Sequence, residues 1–453
     1  MTDDVVTRHK LDFIAGFMEN ESSSAARSTK ASGSLAASRY RVSFIAKDAL
    51  DLPSYLGSTL RGAFGHAFRT VACPAPHGDC PLPSQCPYHL IFETSPPPGS
   101  EVLRTHEEIP RPFVIAPALT QADTRRSAAE PSKEVCRTAR KGLLDVRTTD
   151  TRWSVAEPSK EVCDVRTMES GQPGRQQFNP GDEVSFELIL IGHAQEFFPY
   201  FVVALREVDR IGRGRRTVEL QRIEALRPIS GSSVIRPLDR FEPDLVPPPD
   251  RVEPDPIPPP DQGEVRRGFS GPGNFASDNG EARVVYDAAD NLVRGAADSI
   301  TLEDCATLPL SQSPLTIEFL TQTRLKHEGR FVRHPVFHVV FRRLLGRLSS
   351  LARFHGGAPM ELDFRGLIEQ AASIRLVQDD TKWTRWQRYS SRQDRRMEWE
   401  GIIGRAIYEG EFAPFWKFLK FGELVQVGHG ATFGLGKYRI AAAQAGGSET
   451  VAD

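Results

Sequence analysis

Three groups of residues in this chain have types and spacings that could do chemistry. The segment Leu56-Gly57-Ser58-Thr59-Leu60-Arg61-Gly62-Ala63-Phe64-Gly65-His66-Ala67-Phe68-Arg69 carries one histidine among three glycines and two arginines. Imidazole titrates near neutral pH, so His66 could take or give a proton, while Arg61 and Arg69 could hold an anion beside it. Near the other end, Val427-Gly428-His429-Gly430-Ala431-Thr432-Phe433-Gly434-Leu435-Gly436-Lys437-Tyr438 places four glycines in two G-x-G pairs. Such a loop can take positive φ and lay bare N–H groups against a phosphate, with His429, Lys437 and Arg439 supplying charge; it can equally make ordinary β-turns. Third, Cys73, His77, Cys80 and Cys86 follow the spacing C-x3-H-x2-C-x5-C. Four such ligands suit a tetrahedral structural zinc, and the alternative is a loop of free thiols.

The elements that must position these groups can be read from hydrophobic period. Tyr40 to Ala46 alternates as a strand, and a helix from Ser58, with Ser58 as N-cap, puts Leu60, Phe64, Ala67 and Phe68 on one face. Gly62, His66 and Arg69 fall on the other. Val184 to Ile191 reads as a strand, Ala194 to Val208 as a helix and Thr217 to Leu226 as a strand. The same logic returns after residue 313: strand Leu315 to Leu325, helix His334 to Phe354, strands Ile374 to Val377 and Trp399 to Tyr408, helix Pro414 to Leu424, strand Phe433 to Ile440. Two α+β sandwiches follow. Between the strands Ile374 to Val377 and Trp399 to Tyr408 lies a basic run, Arg388, Tyr389, Arg392, Arg395 and Arg396, with Trp383 and Trp386 interleaved.

Taken in this order, the Leu56–Arg69 segment, the run Trp386 to Gln393 and the glycine-rich terminus resemble the RAMP-type endoribonucleases of the sixth family of CRISPR-associated proteins, which cut CRISPR precursor RNA. The resemblance covers roughly residues 39 to 122, 180 to 228 and 310 to 441. It implies an α+β fold of two tandem ferredoxin-like, RRM-like domains with long loop insertions. It also implies an activity: attack by a ribose 2'-OH, leaving a 2',3'-cyclic phosphate and mature guide RNA. In that role His66 is the expected catalytic residue. Arg61, Arg69, Gly428, His429, Gly430, Gly434, Gly436, Lys437, Arg388 and Arg392 are the expected RNA contacts. Catalysis would need no cofactor. CRISPR precursor RNA, guide RNA and an effector complex are the implied partners. The alternative within the resemblance is a non-catalytic RAMP subunit that only binds guide RNA.

Composition agrees with a nucleic-acid partner once it is read by region. The 453 residues carry a formal charge of −2, with 39% hydrophobic and 26% charged residues. Ser313 to Ile440, however, holds 21 Lys+Arg against 13 Asp+Glu, so the C-terminal region is basic. No 18-residue apolar run offers a membrane span, and the acids Asp3 and Asp4 do not suit a secretory signal, so the cytoplasm is expected.

Five regions result: a disordered extension over 1–38, a first ferredoxin-like domain over 39–228, a proline-rich acidic linker over 229–310, a second ferredoxin-like domain over 311–441 and a tail over 442–453. Within the first domain, Ala129 to Cys136 recurs as Ala156 to Cys163, which reads as a duplicated surface insert over about 125–170.

Overall fold

Period-two alternation builds the first domain, and it works on both faces of the sheet. The computed structural model describes residues 34–94, 109–118, 175–212, 214–227, 282–310, 313–390 and 395–441, with 386–390 and 395–398 described as backbone only. The duplicated insert, the proline-rich stretch up to 281, Arg392, residues 1–33 and the tail lie outside them.

The first domain runs β1 (Ala36–Ala46), β2 (Leu50–Pro53), α1 (Gly57–Ala72), α2 (Pro87–Ile91), β3 (Phe113–Pro117), β4 (Arg175–Phe178), β5 (Glu183–Ile191), α3 (Phe198–Arg206), β6 (Arg210–Ile211) and β7 (Arg216–Leu226). Its main sheet has the order β3-β5-β1-β7, every pairing antiparallel. Setting aside the short β2, β4, β6 and α2, this is a βαββαβ unit with the second strand at one edge and the fourth at the other, the ferredoxin-like arrangement.

The apolar runs in β3 and β5 are explained by what lies on each side. Phe113, Ile115, Phe186, Leu188 and Leu190 join α1 and α3 in the domain's own core. Their alternates Val114, Ala116, Ile189 and Ile191 face the opposite way and enter the core of the second domain. Both faces are therefore buried, and the two domains share a packed, apolar contact.

The extension and linker expected from the sequence are both shorter than their assigned bounds. Leu35 and Ala37 are 2% and 0% exposed, so the strand starts inside the 1–38 extension. Residues 282–301 are not a spacer: β8 (Ala282–Asp287), β9 (Leu292–Val293) and β10 (Ser299–Thr301) extend the first sheet, with β8 on β7 and β10 on the start of β1.

The second domain repeats the βαββαβ order with β11 (Leu315–Thr323), β12 (Lys326–His327), β13 (Arg330–Phe331), α4 (Phe337–His355), α5 (Phe364–Ala371), β14 (Arg375–Ser390), β15 (Arg395–Glu409), α6 (Trp416–Val425) and β16 (Tyr438–Ala441). The sheet order β14-β15-β11-β16 is the same as that of the first domain. Strands β14 and β15 form one long hairpin, paired from Arg375↔Glu409 to Ser390↔Arg395 with a bulge between Leu376 and Gln378, and Arg388, Arg395 and Arg396 lie on its outer part. Two tandem ferredoxin-like domains are thus present.

A pair of histidines marks their contact. His355, at the end of α4, donates from Nε2 to the Pro110 carbonyl at 2.7 Å, and its ring lies 4.9 Å from that of His193. Burial pushes the His355 imidazole down to about 4, the His193 and Arg347 charges push the same way, and the Pro110 bond opposes them. Burial also lowers His193. A histidine kept neutral when folded takes up a proton on unfolding near its ordinary pKa of about 6.5. This contribution is fully present above that pH and is lost as pH falls toward 4. The melting temperature should therefore drop across this window, and His355→Gln, which keeps a donor for Pro110, should flatten that part of the profile. Parallel profiles for wild type and variant would contradict it.

Candidate functional site

Helix α1 forms because Leu60, Phe64, Ala67 and Phe68 recur at three- and four-residue spacing, and all four are buried. Phe64 and Phe68 meet Phe92, Phe113 and Phe201. The helix begins at Gly57 with Leu56 as N-cap, two residues before the expected cap, so Ser58 lies inside the first turn and is not the cap. The outer face carries Gly62 and His66, both exposed, and nothing approaches the place a Gly62 side chain would occupy. His66 thus stands on an open helix surface with no bulky neighbour one turn before it.

The N-terminal end of α1 abuts the glycine-rich loop of the second domain. A Cβ on Gly57 would lie 2.0 Å from the Phe433 carbonyl oxygen, so only glycine allows this approach. The same carbonyl accepts a 2.6 Å bond from the Tyr55 hydroxyl, and the Arg61 guanidinium lies over the Phe433 ring at 4.8 Å. Arg61 also lies 5.6 Å from the Phe92 ring centre. The structure therefore brings the two motifs together although 370-odd residues separate them, a separation spanned directly by the Tyr55–Phe433 bond.

The loop itself differs from a bare phosphate cradle. Gly434 N–H donates to Ala431 O and Gly436 N–H to Gln322 O, while His429 N–H donates to Arg324 O. Gly428, Gly430, Gly434 and Gly436 all have positive φ, as expected. The close approaches at Gly434 and Gly436, however, are to protein backbone, Ile115 O in the first domain and Val427 O across the loop. For these two glycines, the expectation of N–H groups laid against RNA is corrected.

Lys437 is likewise engaged. Its Nζ lies 3.3 Å from Glu187 on β5, and Arg39 on β1 holds the other oxygen at 3.1 Å. Burial works to raise the Glu187 carboxyl, but the Lys437 and Arg39 charges overcome it and hold it at about 2. Lys437 therefore pins the domains together through an ion pair. Arg69 donates to the Gly78 carbonyl at 2.9 Å and lies over the Tyr88 ring, so it braces the loop after α1. Arg388 sits on β14 opposite Met397, in the long hairpin.

The cysteine cluster is real but its histidine is a different one. The ligand atoms of Cys73, Cys80, Cys86 and His89 lie within 4.8 Å of one another. His77 is outside this group, in an exposed turn after α1. Chain distance explains the difference. His77 belongs to a turn that loops away between Cys73 and Cys80, whereas α2 brings His89 back beside Cys86, its own N-cap. The spacing Cys86-x2-His89 was available in the sequence as a signal for this pairing.

The comparisons with known proteins follow the same division. Residues 35–135 and 165–245 match a family model described as an N-terminal domain, and the break at 136–164 falls within the duplicated insert. Residues 317–438 match the model of the CRISPR-associated endoribonuclease Cas6. This second match spans nearly the whole of the second domain. No curated protein matches the sequence. Among solved structures, Thermus thermophilus Cas6 is similar at 12% identity and a TM-score of 0.40, over 91% of this chain and 100% of that one. A Cas6-related protein from Pyrococcus furiosus is similar at 10% identity and a TM-score of 0.36, over 90% and 100%. The domain similar to Cas6 supplies the glycine loop and the basic hairpin, and the first domain supplies α1 with His66. Among the described residues no helix is long and apolar enough to cross a membrane.

Proposed function

We propose that this chain is an endoribonuclease that cuts repeat RNA within CRISPR precursor transcripts in the cytoplasm and keeps the product as a guide. The observation that supports this most is the docking of α1, with His66 on its open face, against the glycine loop of the second domain. His66 would act as general base on a ribose 2'-OH or as general acid on the 5'-oxygen leaving group, since imidazole can do either near neutral pH. The nucleophile belongs to the RNA, so no metal-bound water is required. The product carries a 2',3'-cyclic phosphate.

The basic hairpin formed by β14 and β15 would contact the RNA backbone and stack its bases. An Arg61 held over Phe433 at the domain junction would add a cation on the same helix as His66. The test is purified protein incubated with a panel of repeat RNAs, without added divalent metal and with EDTA present only during the reaction. Cleavage at a single position supports the reading. Tight binding of a cognate repeat with no cleavage would replace it with a guide-RNA-binding subunit that has no catalytic role.

A further inference from the structure

Three sulfurs and one imidazole converge at the C-terminal end of α1, and the fit is close to that of a filled tetrahedral metal centre. We propose that Cys73, Cys80, Cys86 and His89 bind one zinc-type divalent ion that ties α1 to α2. Their ligand atoms are within 4.8 Å of one another, and tetrahedral zinc would hold sulfurs about 3.8 Å apart, so a contraction of roughly 1 Å closes the site. Cys73 and Cys86 are buried, and no disulfide joins the cysteines.

The orientation of His89 identifies its ligand atom. Nε2 lies 3.5 Å from the Glu93 carboxylate, whereas Nδ1 is buried and has no hydrogen-bond partner among the described residues. A buried, unpaired ring nitrogen costs stability unless something binds it, and a carboxylate on the opposite nitrogen is the usual arrangement that fixes a metal-bound imidazole. Tyr88 secures the same carboxylate through its hydroxyl at 3.2 Å. Backbone N–H groups of His89 and Tyr88 face the Cys86 sulfur.

On binding, each of the three thiols gives up its proton to solvent, and the ion accepts three sulfur lone pairs and one from Nδ1; nothing is oxidised or reduced. All four positions are filled by protein, which leaves no place for a reactive water and makes the centre structural. Cys73 is also the C-cap of α1, its N–H bonded to Arg69 O, so the ion would fix the end of the helix that carries His66.

The test is metal content of the full chain expressed in zinc-supplemented medium, together with spectra after exchange into Co(II). Wild type should hold one metal per chain and show the thiolate charge-transfer and visible bands of tetrahedral Co(II). Cys80→Ser, at the least buried of the three cysteines, and His89→Gln should each lose most of the metal and melt earlier. His77→Ala should retain both metal and melting temperature. Wild type that purifies folded yet takes up neither zinc nor Co(II), or a His77→Ala variant that loses metal as fully as His89→Gln, would overturn the proposal. Neither readout depends on RNA cleavage, so the site stands or falls apart from the proposed activity.

Discussion

Replacing His66 by alanine should slow cleavage about 100- to 10,000-fold while changing RNA affinity no more than a few fold, the size expected for removing one general acid or base. The separation of the two effects rests on the position of the residue. His66 is exposed on α1 and is not one of the buried residues of that helix, so its loss leaves Leu60, Phe64, Ala67 and Phe68 packed. Single-turnover rates on a cognate repeat, alongside binding by fluorescence anisotropy and a thermal melt, separate chemistry from affinity and folding. A variant that cuts at the wild-type rate would remove His66 from the mechanism. A variant that fails to bind would make it an RNA contact.

The second large effect is expected at the glycine loop, and it is an effect on folding. An alanine at Gly436 would put a Cβ 1.8 Å from Val427 O, and one at Gly434 would lie 2.7 Å from both Ile115 O and the Tyr55 hydroxyl. Both positions have φ near +80°, at 75° and 84°. Backbone strain of this kind costs roughly 1–3 kcal/mol per residue before any clash, against a total stability of about 5–15 kcal/mol. The double variant should therefore melt much earlier, become sensitive to protease at the domain junction, and lose RNA binding only as it loses structure. A double variant that melts like wild type but binds RNA weakly would show that these two glycines press on phosphate after all.

How much of this was legible in the sequence depended on whether the signal was local. The order of strands and helices followed from period, because β1 puts Tyr40, Val42 and Phe44 on one face and α1 buries Leu60, Phe64, Ala67 and Phe68 on one side. Strand β3 gave no alternation to read, since all of Phe113 to Ala116 is buried, and β5, legible as a strand, gave no sign that Ile189 and Ile191 enter the core of the second domain. The extent of the β14–β15 hairpin was hidden for another reason. Its outer part is basic and polar, so it reads as a loop, while cross-strand pairing from Trp386↔Trp399 to Ser390↔Arg395 carries it on as a strand.

The candidate site shows the same division. The type of residue at each position could be read, but not its partner. Glycines 434 and 436 were recognisable as positions of positive φ, yet whether the approaching group is RNA or the Ile115 carbonyl depends on how the two domains dock. Lys437 was recognisable as a cation near the loop, and its partner Glu187 lies 250 residues away. His77 sits between the cysteines in the chain and His89 lies beyond them, but the fold of α2, not proximity in sequence, decides which imidazole reaches the sulfurs.

The central proposal is that RNA is cut by its own 2'-OH at a site on α1 beside the second domain. The most direct measurement compares an all-ribose cognate repeat with the same RNA carrying one 2'-deoxy sugar at the scissile nucleotide, under single-turnover conditions without added metal. The account predicts that both bind, that only the ribose substrate is cut, and that its 5' fragment ends in a 2',3'-cyclic phosphate. Equal cleavage of the deoxy substrate, or a product ending in a 3'-hydroxyl, would contradict it.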